Sequence, residues 1–473
     1  MTEDVKPGVK STRLRQNSLS TADILGVSLA DTAPAMSFFF SFAAIAAAAG
    51  VASPLAIIVA AVAILLKLNS LTEFTKVSPS SGSYISYIGK AFGAIPGVMT
   101  AWALSVGYIV AVGYVMAIMG GWTSLILLKY LHVSVPWEPI TIVFVAFVSF
   151  LVYRGVKVSA RWATLAFAFE LLLIIVSMVA IVVTNSSHLN FASFEPSLIH
   201  RGISGLGLAF PLAMFLFIGV GNPGAMVEET RNARRAVPRA IYIATISVAI
   251  IYVLMAWTTS VAFHNNATTI GGLSAPFVTA ADRALGPVSI LVYLAGLTST
   301  FSSLIGATTA QIRIIFSAGR EKLLPSVLGK LSDRHGTPVI SLVTYSLVAL
   351  IITLLWASHG NPLDIAGDIA TLGTIPIILV YLALNIALPV YFLREHRELF
   401  SVLRHLIIPI LGVVALVLPL WGLIKPGQPY PFDIFPWIVL ALLVVSFAFA
   451  LIRRRQIPDL GKKIGSVLAD DFE

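Results

Sequence analysis

SLADTAPAMSFFF, residues 28–40, places an acid, a hydroxyl and a proline in the middle of the chain's first long apolar run. A membrane helix avoids all three. An acid at mid-bilayer costs about 2.5–3.5 kcal/mol on insertion scales. Proline removes one backbone donor and crowds the preceding turn. Read physically, Asp31, Thr32 and Pro34 mark a break between two half-helices rather than a flaw in one span.

The rest of the chain supports a bilayer setting. Of its 473 residues, 58% are hydrophobic and only 11% are charged, against about a quarter charged in soluble proteins. The absence of cysteine excludes disulfides, thiolate metal sites and thiol nucleophiles. Apolar runs of the roughly 20 residues needed to cross a bilayer fall near 22–48, 52–74, 95–128, 138–153, 159–183, 204–232, 238–263, 286–312, 339–357, 369–393, 406–423 and 433–452. The first is too long for a cleaved signal peptide and is read as the first of twelve spans.

With the N-terminus inside, all of the 31 Lys and Arg except Lys129, Arg201, Arg283 and Lys425 fall on one face. By the positive-inside rule that face is cytoplasmic and holds both termini. The net charge of +9 is therefore a topology signal, with no nucleic-acid partner implied. The localisation expected is the cell (inner) membrane, multi-pass, with the lipid bilayer as partner.

A second interruption lies in the sixth span, FIGVGNPGAM (217–226), with Gly219, Gly221, Pro223 and Gly224. Breaks in the first and sixth spans each open a group of five. Broken helices at corresponding positions of two halves point to a transporter binding site between inverted repeats. The outer half of the first span, starting near Ala35, Met36 and Ser37, should offer free N–H groups and a partial positive charge to a carboxylate. The outer half of the sixth should end near Phe217 and Ile218, offering carbonyls to an ammonium. Together the breaks form a cradle for a zwitterion.

Three further features are candidates for ion coupling. Asp31 closes a half-helix where the dipole is already negative, so it calls for a proton or a cation. That cation is a substrate ammonium, a sodium ion or a basic side chain; a structural cap facing a wet vestibule is the alternative. Glu170, in RWATLAFAFELLLIIVSMVA (161–180), lies near the midplane of the fifth span and is a candidate proton carrier, or a neutral partner to a neighbouring helix. In LTSTFSSLIG (297–306), Ser299, Ser302 and Ser303 share one face and could ligate sodium or serve interhelical packing. The acidic pair Glu228 and Glu229, with Arg231, Arg234 and Arg235 nearby, fits a cytoplasmic latch or a solvated loop.

No catalytic or metal site and no cofactor is expected. The eight histidines lie in loops or at helix ends, and no zinc-protease, nucleophile-elbow or phosphate-loop pattern occurs. The chain reads as a carrier rather than an enzyme or a channel.

At the level of motifs the chain resembles the amino acid–polyamine–organocation (APC) family of secondary transporters. The segments that carry the resemblance are VEETRNARRAVPRAI (227–241), PSSGSYISYIGKAFG (79–93), GVKVSAR (155–161) and RIIFSAGREKLLPSVLGKLSDRHGTP (313–338). The resemblance implies an all-α fold of the leucine-transporter (LeuT) type, a five-plus-five inverted repeat plus two additional helices. Its core would cover 21–400, with repeats about 21–185 and 204–400. The additional helices would cover 401–453, and cytoplasmic tails 1–20 and 454–473. Substrate contacts are implied at Thr32, Ala33, Pro34, Ala35, Met36 and Ser37, and at Phe217, Ile218, Gly219 and Gly221, with Phe217 near a gate. Proton-coupled relatives place a lysine where this chain has Glu170, and the family's glycine-rich first-span motif is replaced by Thr32, Ala33 and Pro34. The resemblance implies an amino acid permease, with proton symport. A small amine or polyamine recognised through Asp31, and sodium coupling or exchange, are the alternatives. The oligomeric state is not legible.

Overall fold

A computed structural model of the chain describes residues 14, 16–358 and 360–464. Residues 1–13 and 15, position 359 and the end of the expected C-terminal tail, 465–473, lie outside the described residues. Counting the interrupted 21–49 segment once, ten described helices are long and apolar enough to cross a membrane, and 137–153 and 203–215 are shorter apolar helices. The chain is a multi-pass membrane protein.

The first span divides into α1 (Thr21–Asp31) and α2 (Pro34–Ala49). Next come α3 (Ser53–Val77), the short α4 (Tyr84–Phe92), α5 (Ala94–Leu131), α6 (Trp137–Tyr153) and α7 (Val156–Thr184). After a loop of short 3₁₀ turns, α8 (Ile203–Phe215) leads into the second break. Then follow α9 (Ala233–Ala262), the short α10 (Ala267–Gly271) and α11 (Pro276–Leu285), α12 (Ile290–Arg320), α13 (Val339–Ala357) and α14 (Pro362–Glu395). The helices α15 (Ile408–Ile424) and α16 (Phe435–Gln456) complete the bundle.

The outer faces of α6, α7, α13, α15 and α16 expose large apolar side chains such as Val143, Leu172, Val179, Leu355, Val414 and Val444. In water such a surface would aggregate; against lipid it meets its own kind. The polar and small residues turn inward instead, where α1, α3, α5, α12 and α14 are most buried.

Two basic residues counted from the sequence on the cytoplasmic face lie buried inside helices. Lys67 is buried in α3, with its ammonium 3.3 Å from the centroid of the Tyr381 ring on α14. Arg313 is buried in α12 and pairs with Glu229. Each is held where a π-face or a carboxylate replaces water.

Candidate functional site

The first break is short. The helix α1 starts with a capping box in which Ser20 and Asp23 bond reciprocally, and it ends at Asp31. Thr32 stays helical, and Ala33 takes the left-handed conformation at φ 46°. Pro34 then occupies the first turn of α2, where its missing N–H is no loss. The Thr32 hydroxyl donates to the Leu29 carbonyl at 2.7 Å and the Ser37 hydroxyl donates to the Thr32 carbonyl at 2.8 Å, so the kink is tied to itself.

The donors expected to stand free here are occupied. Ala33 N–H donates to the Ala30 carbonyl at 3.1 Å, and Ser37 N–H to the Ala33 carbonyl at 2.9 Å. Ala35 N–H donates to Glu170 Oε1 at 2.8 Å and Met36 N–H to Ser299 Oγ at 3.2 Å. The protein thus supplies its own carboxylate to the N-terminus of α2, where the sequence suggested a ligand's. Glu170 is fully buried, and Ser302 Oγ donates to its Oε2 at 3.3 Å. Ser303 Oγ donates to the Asp31 carbonyl at 3.1 Å. The three serines read as sodium ligands therefore join α12 to the break and to Glu170.

The second break is longer. Beyond α8, residues 216–221 form turns and Asn222–Glu229 is a 3₁₀ helix rather than an α half-helix. Pro223 and the surrounding glycines favour this tighter winding, with i to i+3 bonds such as Asn222 N–H to the Gly219 carbonyl at 2.8 Å. Gly219 adopts φ 101°, and a Cβ on it would lie 3.0 Å from the Asp31 carbonyl oxygen and 3.1 Å from Oδ1. Glycine is what lets the two breaks touch.

A cavity of about 440 Å³ opens beside that contact. Asp31, Thr32, Ala33, Ser37, Ile218, Gly219 and Ser303 line it. Pro34, Ala35, Met36, Phe217, Gly221, Glu170, Ser299 and Ser302 do not. Phe217 is buried behind the wall, edge-on to Tyr252 with ring centroids 5.4 Å apart; the Tyr252 hydroxyl donates to the Leu216 carbonyl at 2.6 Å. Turning there puts Phe215 on the cavity wall beside the expected Ile218, in place of the expected Phe217. Gly221 packs beneath it, near the Tyr84 hydroxyl.

At the floor, Asn222 Nδ2 donates to Asp31 Oδ2 at 2.8 Å, and the Tyr108 hydroxyl donates to Asn222 Oδ1 at 2.8 Å. Asn222 sits inside the sixth-span break but was not singled out from the sequence. The signal for Tyr108 and Tyr114 was the repeated Gly-Tyr in GYIVAVGYV (107–115); for Phe40 and Gln311, also on the wall, there was none. The lining extends to Asp364 and Thr371 on α14, near the end of the bundle away from the basic loops. At the basic end, two buried ion pairs, Glu229 with Arg313 and Glu228 with Arg320, join the 3₁₀ helix to α12. The chain before α1 pairs with the same segment, through Leu19 N–H to the Glu229 carbonyl at 2.8 Å and Arg231 N–H to the Leu19 carbonyl at 2.9 Å.

Comparison with known proteins agrees with this architecture. A family model described as amino acid permease matches residues 19–452. The branched-chain amino acid permease BcaP of Lactococcus lactis is 24% identical over 387 residues, 76% of this chain and 79% of that protein. The methylthioribose transporter of Bacillus subtilis is 22% identical, covering 79% of this chain and 80% of that protein. The amino acid permease YecA of Bacillus subtilis is 25% identical over 294 residues; the match spans 62% of this chain and 66% of that protein, just under two-thirds. With the family model running from the segment before α1 to the end of α16, the chain belongs to the amino acid permease family.

Proposed function

We propose that the chain is a secondary active transporter that moves an amino acid or a small amine by alternating access, with a proton as the coupling ion. The observation that carries this reading is a cavity bounded by both breaks, with Asp31 in its wall and a lining that extends to Asp364 and Thr371 on α14. At the basic end, the buried pairs of Glu229 with Arg313 and Glu228 with Arg320 hold the second break to α12. A carrier needs such a site with one closed path at a time, and the closed path must be able to open. The names of the relatives, permeases and a methylthioribose transporter, support a small polar solute as cargo.

The architecture proposed with it has twelve spans in a five-plus-five inverted repeat, α6 and the α8 segment serving as the fourth and sixth. The repeats cover about 21–185 and 204–400. The two additional helices cover 401–453, and both termini lie in the cytoplasm with the basic end. Asp31 and Glu170 carry the coupling in this reading, since both are buried carboxyls at the first break. Glu170 also caps α2 through Ala35, which favours a second, purely structural role for it.

The test is uptake of labelled solutes into proteoliposomes under an imposed pH gradient, compared with a sodium gradient and with counterflow. Counterflow and acceleration by the pH gradient are expected. Saturation without counterflow would remove the carrier mechanism, and acceleration by sodium alone would replace the proton. Uptake by Glu170→Gln equal to that of the parent would leave Glu170 only its structural role.

A further inference from the structure

Resting on the transporter reading, we infer that the cavity selects its cargo by one ammonium seated on Asp31 and offers an α-carboxylate neither a cation nor a free backbone donor of the first break. Cationic amines with an apolar or aromatic body would then bind in preference to the matching α-amino acids.

A carboxylate in a closed site needs donors or a cation. The break of the first span is where backbone donors should face it, and those of Ala33, Ala35, Met36 and Ser37 are all spent within the protein. Pro34 has none to give. Freeing the Ala35 donor would strip Glu170, fully buried, of a hydrogen bond, a loss larger for a charged acceptor than for a neutral one. Among the described residues that line the cavity there is no Lys, Arg or His; its charged side chains are Asp31 and Asp364. Both would repel a second carboxylate.

The same wall suits an ammonium. Asp31 is 7% exposed and lines the floor. Its Oδ2 is taken by Asn222, whereas Oδ1 has no hydrogen bond among the described residues and lies beside Gly219, where no side chain intrudes. One open oxygen of a buried carboxylate is a strong acceptor for a charged N–H. The rings of Phe40, Tyr108, Tyr114 and Phe215 add π-faces and apolar area for the body of the ligand. A volume of about 440 Å³ falls within the range of small-molecule sites, roughly 300–1,000 Å³.

Matched pairs that differ only in the carboxylate test this directly: 2-phenylethylamine against phenylalanine and isopentylamine against leucine. Binding to the purified full chain is read by thermal shift, and transport by uptake into proteoliposomes. The expected result is that each amine binds at least about tenfold more tightly than its amino acid, the size of one unmet polar group, and is taken up in preference to it. Asp31→Asn should lose amine binding and Gly219→Ala should weaken it, both with the folded yield checked by gel filtration. The comparison in the unaltered protein stands without either variant. If phenylalanine or leucine binds as tightly as its amine, the inference is overturned and the transporter reading survives. If neither class binds nor is taken up, both fall.

Discussion

The two breaks begin from the same kind of sequence, glycine or alanine with proline and small polar residues, and end as different devices. The first spans little more than Thr32 and Ala33, and its donors are held by Glu170 from α7 and Ser299 from α12. The second runs from 216 to 229, and short-range bonds meet several of its backbone donors. Tyr252 and Ser28 bond its Leu216 and Val220 carbonyls, and Asn222 joins Asp31 and Tyr108. Its ion pairs come at the end, where Glu228 and Glu229 reach α12. A break whose backbone donors are held by other helices is harder to rearrange than one whose donors are largely met within its own winding. On this contrast the expectation is that the sixth-span segment yields first when its ion pairs are broken, and the first break last.

The largest effect should come at the release point. Arg313→Ala leaves Glu229 buried without its partner and should cost about 3–5 kcal/mol, read as a drop in thermal unfolding in detergent. A loss under about 1 kcal/mol would mean that the segment is not pinned there. Next, Glu170→Ala leaves the Ala35 donor unmet, while the Ser302 hydroxyl keeps the Ser299 carbonyl, for about 2–3 kcal/mol. Glu170→Gln, which keeps an acceptor, should lose less. Hydrogen exchange should then quicken at 33–37 with 222–229 unchanged; the reverse pattern would dissolve the distinction between the breaks.

Gly219→Ala probes the contact between them. The backbone at φ 101° and a Cβ 3.0 Å from Asp31 should together cost about 1–3 kcal/mol, measured again by thermal unfolding. An alanine tolerated without loss would show that the breaks separate freely. The smallest effect is expected for Ser299→Ala, which removes the acceptor of Met36 N–H at about 1 kcal/mol.

Much of this was legible in the chain. Asp31, Pro34, Gly219 and Pro223 announced both interruptions, because such residues conflict with a helix in lipid wherever it packs. The acidic pair was also visible, but its partners were not. The sequence offered Arg231, Arg234 and Arg235 close by, whereas the structure uses Arg313 and Arg320 on α12. Phe217 illustrates the same limit on a smaller scale. Its place at the break was plain, but at the turn where Tyr252 bonds the Leu216 carbonyl it is Phe215, with the expected Ile218, that faces the cavity.

What the sequence alone determined is the solvent and the points of weakness: a lipid-embedded helical chain, broken twice, with carboxyls where none should stand bare. Those follow from composition and from the backbone chemistry of single residues. Only the tertiary structure decided who answers the broken backbone. Ala35 and Met36 could have faced a ligand or another helix with equal local logic. Glu170 and Ser299 arrive there from positions 135 and 263 residues away. Hydrogen bonds at a break are completed by whatever the packing brings near, and that choice leaves Asp31 as the open charge on the cavity floor.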